Sequence, residues 1–155
     1  MALYTAVFNA VAVTAQQDFF ELNVPADAVV IVHAIELSQS SEVGDAQEEG
    51  LNILLKRGAT TSGSGGTAPT AQPIETGSSA FGGTVEVNNT TKASVGTIVT
   101  LRAENWNVRM PYLWLPTPEM RFILGPSSRF TVELATTPAD SITMSGTLTF
   151  EEIGG

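Results

Sequence analysis

Between Ile142 and Phe150 the chain alternates with strict period two: Ile142, Met144, Gly146, Leu148 and Phe150 are separated by Thr143, Ser145, Thr147 and Thr149. Successive side chains of a strand point to opposite faces, so this segment has one apolar face and one hydroxyl face. Such a strand cannot bury its apolar face alone. It requires a second layer laid against its sheet.

The same period runs through most of the chain, in stretches rich in Val, Ile, Thr and Phe, the residues that fit a pleated, half-buried surface. Strands are expected at Leu3–Thr14, Asp18–Asn23, Val29–Ser38, Leu51–Arg57, Thr84–Val87, Thr97–Ala103, Met120–Leu124, Arg129–Leu134 and Ser141–Glu151. Turn formers separate them, as in Val24-Pro25-Ala26-Asp27, Gly125-Pro126-Ser127-Ser128 and Thr137-Pro138-Ala139-Asp140, where Pro fixes φ and Asp or Ser bonds the neighbouring backbone. Many short strands with this punctuation predict an all-β chain: an antiparallel β-sandwich, jelly-roll-like, forming a single domain over residues 1–155. A chain of this length buries roughly 68–70% of its unfolded surface on folding, enough for a core without covalent staples. There is no cysteine, which removes disulfides, thiol nucleophiles and Cys-based zinc sites.

Two segments depart from the strand pattern. Glu42–Glu49 reads as either one short helix, with Ser41 as N-cap and Gly50 as its stop, or an ordered acidic loop. Residues 58–73 are almost wholly Gly, Ser, Thr, Ala and Pro, with no side chains to build a core. A long surface loop or flexible arm is expected there, with a reach on the order of 50 Å if drawn out.

Sixteen acidic residues against seven basic ones give a formal net charge of −9. That charge repels phosphate backbones, so nucleic acid is not expected as a partner. No apolar run reaches the ~18–20 residues of a membrane span, and the first residues lack the basic start and apolar core of a signal peptide. No membrane partner and synthesis in the cytoplasm are the expectations.

Candidate chemistry is sparse. His33 is the sole histidine and lies in Val29-Val30-Ile31-Val32-His33-Ala34-Ile35, where alternation groups it with Ile31 and Ile35 as a packing residue. Gly58–Gly66 lacks the Lys-Ser/Thr pair of a phosphate-cradling loop, and no helix pattern follows it. Glu42, Asp45, Glu48 and Glu49 form the densest acidic cluster without the spacing of a calcium loop, so a solvated face or a patch for a basic partner is expected. Asn88 and Asn89 each begin an Asn-x-Thr triplet, and Asn88-Asn89-Thr90-Thr91 reads as a turn. Trp106, Tyr112 and Trp114 crowd together with Arg109 in a stretch where Pro111, Pro116 and Pro118 argue against regular pairing. These rings read either as core or as an interface or sugar-stacking platform, since Trp, Tyr and Arg dominate interface hot spots. Paired carboxylates for glycoside hydrolysis have no sequence signature of their own, because their separation across a sheet is set by the fold. No catalytic residue, metal site or cofactor is indicated, and the chain is expected not to be an enzyme.

Read together, Ala6-Val7-Phe8-Asn9-Ala10-Val11-Ala12-Val13, Gln17-Asp18-Phe19-Phe20-Glu21-Leu22, Gly44-Asp45-Ala46-Gln47-Glu48-Glu49-Gly50, Lys56-Arg57-Gly58, Leu115-Pro116-Thr117-Pro118-Glu119 and Met144-Ser145-Gly146-Thr147-Leu148-Thr149-Phe150-Glu151-Glu152 resemble small virion structural proteins of tailed bacteriophages. Within that group the chain is most similar to a head decoration, or cement, protein. The resemblance spans nearly the whole chain and is structural in character. It implies a jelly-roll-like sandwich on the capsid exterior, a homotrimer at local three-fold positions that contacts the major capsid protein. A tail, neck or baseplate component, or a carbohydrate-binding β-sandwich, is the alternative. Interaction residues expected on this reading are Met1, Ala2, Leu3 and Tyr4, placed at the start of the first strand, together with Trp106, Arg109, Tyr112 and Trp114.

Overall fold

The computed structural model describes residues 2–45 and 48–155. Among the described residues eleven strands follow one another: β1 (Ala2–Val13), β2 (Gln17–Asn23), β3 (Ala28–Gln39), β4 (Gly50–Arg57), β5 (Gln72–Pro73), β6 (Thr84–Asn89), β7 (Val99–Asn107), β8 (Tyr112–Trp114), β9 (Phe122–Leu124), β10 (Arg129–Leu134) and β11 (Ile142–Gly154). They form two antiparallel sheets. The larger has the order β5-β1-β11-β3-β8, with β9 also on β3, and the smaller has the order β6-β2-β10-β4-β7. The chain crosses between sheets at β1–β2, β2–β3, β3–β4, β4–β5, β5–β6, β7–β8, β9–β10 and β10–β11, and β11 returns to lie beside β1. The sandwich is therefore a jelly roll, as the turn spacing predicts.

The alternation that singles out β11 is realised residue by residue. Ile142, Met144, Leu148 and Phe150 are fully buried, and the hydroxyl residues between them are not. Aromatic side chains bridge the two layers: Phe8 of the larger sheet meets Phe20 of the smaller at 5.3 Å and Phe19 at 5.9 Å between ring centroids. At the other end Phe122 meets Trp114 at 4.8 Å and Phe130 at 5.8 Å. Offset and tilted rings of this kind add about 0.5–1.5 kcal/mol per pair beyond the area they bury.

Four expectations change on folding. No helix forms at the described residues of Glu42–Glu49: the chain bends and turns from Ser40 to Gly44, and Gly50, expected to stop a helix, instead starts β4. Ala46 and Gln47 lie outside the described residues. Residues Pro118–Met120 form a single 3-10 turn, so the strand expected from Met120 is shortened to β9. Tyr112–Trp114 forms β8 despite the surrounding prolines, pairing with Ile35–Leu37 of β3. As an edge strand it needs only one ladder, and Pro111 and Pro116 fall outside that ladder. Asn88-Asn89 ends β6 and is buried, with Asn88 at φ 56°, so these side chains lie inside the protein and not on an accessible turn.

Gly146 is a tightly packed position in the core between the sheets. It pairs with Phe8 across β1 and β11, and a Cβ there would sit 2.5 Å from the Phe8 ring. Gly146→Val is expected to lower stability by about 1–3 kcal/mol through overpacking, read as a lower midpoint in urea unfolding with an unchanged slope.

Candidate interaction surfaces

The two sheets turn very different outer faces to the surroundings. On the smaller sheet, a bulge at Phe19 decides which residues face out: Asp18 pairs with Glu133 and Phe20 with Val132, so Phe19 is the extra residue. Phe19 and Phe20 both reach the core, and Asp18 and Glu21 are left together on the outer face. Simple alternation separates these two carboxylates; the bulge unites them.

Both are then covered by the two glycine-rich and threonine-rich loops. Glu21, 0% exposed, accepts from Ser62 Oγ at 2.7 Å, Gly63 N at 2.9 Å and Asn89 Nδ2 at 3.1 Å, and pairs with Arg129 Nε at 2.8 Å. Asp18 accepts from Ala93 N at 2.7 Å. Glu133 is held by Lys92 at 2.9 Å and by Lys56. The covering segments also pair with one another and with β6 through the bridges Thr61–Ser94, Ser64–Thr91 and Thr67–Val87. Further along, Gln72–Pro73 joins the larger sheet as β5.

Residues 58–73 are therefore not a free arm. Small side chains are what the tight approach requires: Gly58 has φ +98°, and a Cβ there would lie 2.0 Å from the Thr97 carbonyl oxygen. The low-complexity composition that reads as flexibility is a fit to the surface beneath it.

On the larger sheet no loop among the described residues covers the outer face, which is left bare. One cross-strand row runs Leu3–Glu151–Ile31–Ile123, and a second runs Val7–Thr147–Glu36–Leu113. Leu3, Val7, Leu113 and Ile123 are 42%, 54%, 56% and 65% exposed. Beside the second row lies a groove of about 720 Å³ floored by Gly146 and Thr147 and walled by Val7, Glu36, Met110 and Leu113. His33 sits on this face as the extra residue of a bulge in β3, since Ala34 pairs with Thr149 and Val32 with Phe150. Its Nε2 is 2.8 Å from Glu151 Oε2. The bulge puts Ile35 in the core, so His33 shares a face with Ile31 but not with Ile35.

The expected interaction residues divide accordingly. Leu3 is on the bare face, Ala2 is half-buried, and Met1 lies outside the described residues. Tyr4 is a core residue, stacked on Phe150 at 5.6 Å, so a truncation through it attacks the fold itself. Trp106, Tyr112 and Trp114 are all at least nine-tenths buried, with Trp106 Nε1 donating to the Met110 carbonyl, so they form no exposed stacking platform. Burial first, and the neighbouring Glu104 carboxylate second, hold the Tyr112 hydroxyl well above the usual phenol range. Arg109 is exposed and donates to the Asp45 carbonyl. Sequence reasoning missed Val7, Met110, Leu113 and Ile123. The available signal was in β1, where Leu3 and Val7 fall on the opposite face from Tyr4, Ala6 and Phe8.

The acidic segment is an ordered loop. Glu42, Asp45 and Asp140 place carboxylate oxygens within 4.8 Å of one another, Ser41 Oγ donates to Glu42 at 2.7 Å, and Ala139 N donates to Glu49 at 2.6 Å. The Ala139–Glu49 hydrogen bond latches the loop to the turn before β11.

Comparison with known proteins finds no family model that matches this chain and no curated protein similar to it. No helix among the described residues is long and apolar enough to cross a membrane.

The buried carboxylates generate two expectations. Glu21→Ala removes the buried carboxylate partner of Arg129 and the acceptor of Gly63 N, while Ser62 and Asn89 keep Glu86, so it should cost about 3–5 kcal/mol and release the covering loops, seen as faster amide exchange at Thr61, Gly63 and Ser64. Asp18 is pushed up to about 7, by burial first and by Glu133 and Glu21 after it, against the Ala93 N–H that favours the carboxylate. The folded state then holds this proton where the unfolded state has released it. Stability from Asp18 is present at low pH and lost as pH rises from about 4 towards 7. Asp18→Asn should remove that decline, so that the variant gains on the wild type as pH rises through this window in denaturant titrations. Glu133 acts in the opposite sense: burial raises it, but Lys56 and Lys92 outweigh burial and lower it, so its contribution is lost on acidification.

Proposed function

We propose that this chain is a non-enzymatic structural module that docks on another protein through the bare outer face of its larger sheet. The observation that carries the proposal is the contrast between the two outer faces. One is sealed by the protein's own loops, and the other leaves Leu3, Val7, Leu113 and Ile123 uncovered in two cross-strand rows. Exposed apolar side chains gathered on one face mark a contact site, because covering them returns about 25 cal/mol for each Å² removed from water.

The partner in this proposal is the major capsid protein on the outside of a tailed-phage head, with the chain acting as a decoration protein that cements neighbouring shell subunits. The resemblance of its segments to virion structural proteins supports this choice of partner. So does the net charge of −9, which suits the exterior of a shell better than its DNA-lined interior. The jelly-roll frame is compatible with many functions, so the choice rests on the surface and not on the fold.

The test is to mix the protein with expanded, undecorated heads and to measure binding by co-sedimentation and cryo-electron microscopy. Wild type should add ordered density to the outer surface, with the β1-β11-β3 face against the shell. Val7→Asp combined with Leu113→Asp, both exposed positions, should leave thermal unfolding near wild type and weaken binding at least tenfold, as charge is buried in the contact. Bare heads at saturating wild-type protein, or unchanged binding by the double variant, refute the proposal.

A further inference from the structure

The long edge strand β7 carries a second, independent feature. β7 is the last strand of the smaller sheet and runs for nine residues, with a bulge at Leu101 and a regular ladder from Arg102 to Asn107, whereas the larger sheet ends on its corresponding side in the three-residue strands β8 and β9. The opposite edge of the smaller sheet, β6, is met by Thr67, and the open part of β1 carries a bulge between Phe8 and Val11 that disrupts its ladder. Among the described residues no strand or loop pairs with the outer edge of β7. Neither proline nor lysine interrupts it. Exposed edges of this length are what folded proteins usually blunt.

The direction of its backbone groups follows from β4. The Asn52 carbonyl accepts from Ala135 N at 2.8 Å, so the backbone of Asn52 faces away from β7. Asn105 lies opposite Asn52 and Ala103 opposite Leu54. In an antiparallel ladder the residues facing such positions turn their N–H and C=O groups outward. Ala103 and Asn105 therefore offer unpaired backbone groups at the open edge, and both are exposed.

We propose that the occupant of this edge is a second copy of the chain, paired antiparallel with β7 and centred on Ala103. The choice rests on charge. Pairing about Ala103 sets Arg102 of one copy opposite Glu104 of the other, twice by symmetry, within the regular part of the strand. Arg102 and Glu104 lie on one face of the strand, opposite Leu55 and Ile53, and within one chain they pair with each other. Opposite charges directly across an antiparallel ladder are favourable, and like charges there are not. A chain of net charge −9 resists non-specific self-contact, so a self-complementary stretch stands out. Next to β7, a hollow of about 300 Å³ is bordered by Leu101, Leu113, Leu115 and Met120, and the second copy would approach along this flank.

The symmetry has a consequence for docking. Antiparallel pairing of two β7 strands uses a two-fold axis perpendicular to the sheet, so both bare faces point to the same side. Two weak sites then act together on one surface, and the second engages at raised effective concentration. This contact is two-fold, unlike the three-fold cluster that the virion resemblance implies, and it stands whether or not the bare face binds a capsid.

The experiment measures mass in solution without any capsid, by sedimentation and light scattering over a range of loading concentrations. Wild type should approach twice the 16.3 kDa chain mass. Ala103→Pro removes the central outward N–H, which an edge strand tolerates, and should give a folded monomer. Arg102→Glu should weaken the dimer about tenfold or more, and adding Glu104→Arg to it should restore the dimer, because the swapped pair is again complementary. A wild type that stays monomeric or forms a trimer overturns the proposal. So does a dimer that survives Arg102→Glu, or one that the double swap fails to restore while circular dichroism shows a folded chain.

Discussion

Everything in this molecule depends on burying one face of each sheet against the other. β11 shows the constraint most plainly, since its apolar face has no outlet except the opposing layer. Once Phe8 meets Phe19 and Phe20, and Phe122 meets Phe130, both inner faces are consumed by packing. Interaction with anything else must then use the outer faces or the strand edges. The buried positions of Tyr4, Trp106, Tyr112 and Trp114 follow from the same constraint: large rings near the sandwich interior lower the free energy most by joining the core.

The outer faces show two solutions to one problem. The smaller sheet is covered from within the chain, at the cost of burying carboxylates that must each find donors. Glu21 finds four, Glu133 finds two lysines, and Asp18 finds one backbone N–H and stays closer to neutrality. Well-satisfied carboxylates fix the position of the loops above them, since moving a loop strands a buried charge. The larger sheet has no comparable cover, and its outer residues are apolar or hydroxylic, with Glu36, Glu151 and His33 among them. One sheet is thus fastened to the chain's own loops, and the other leaves its outer face open.

Much of this was legible from the residues. Alternation located the long strands, and the turn residues implied a sandwich of many short antiparallel elements, because both signals arise from local backbone geometry. Residues 58–73 were misleading for a physical reason. A segment without large side chains cannot show in sequence whether it is free or fitted to a surface, and here Glu21 and β6 hold it. β8 was hidden by Pro111 and Pro116, whose effect on pairing depends on whether a strand is central or at an edge.

The amino-acid order by itself determined the all-β class, the inward faces of β1 and β11, and the lack of cysteine chemistry. These depend only on residue type and period. Tertiary structure decided the rest: that a bulge at Phe19 brings Asp18 and Glu21 together, that another at His33 turns Ile35 inward, and that Val7, Leu113 and Ile123 meet on one bare face. Bulges shift a strand's alternation by one residue, and a face is assembled from strands far apart in sequence. Neither is visible until the ladders are paired.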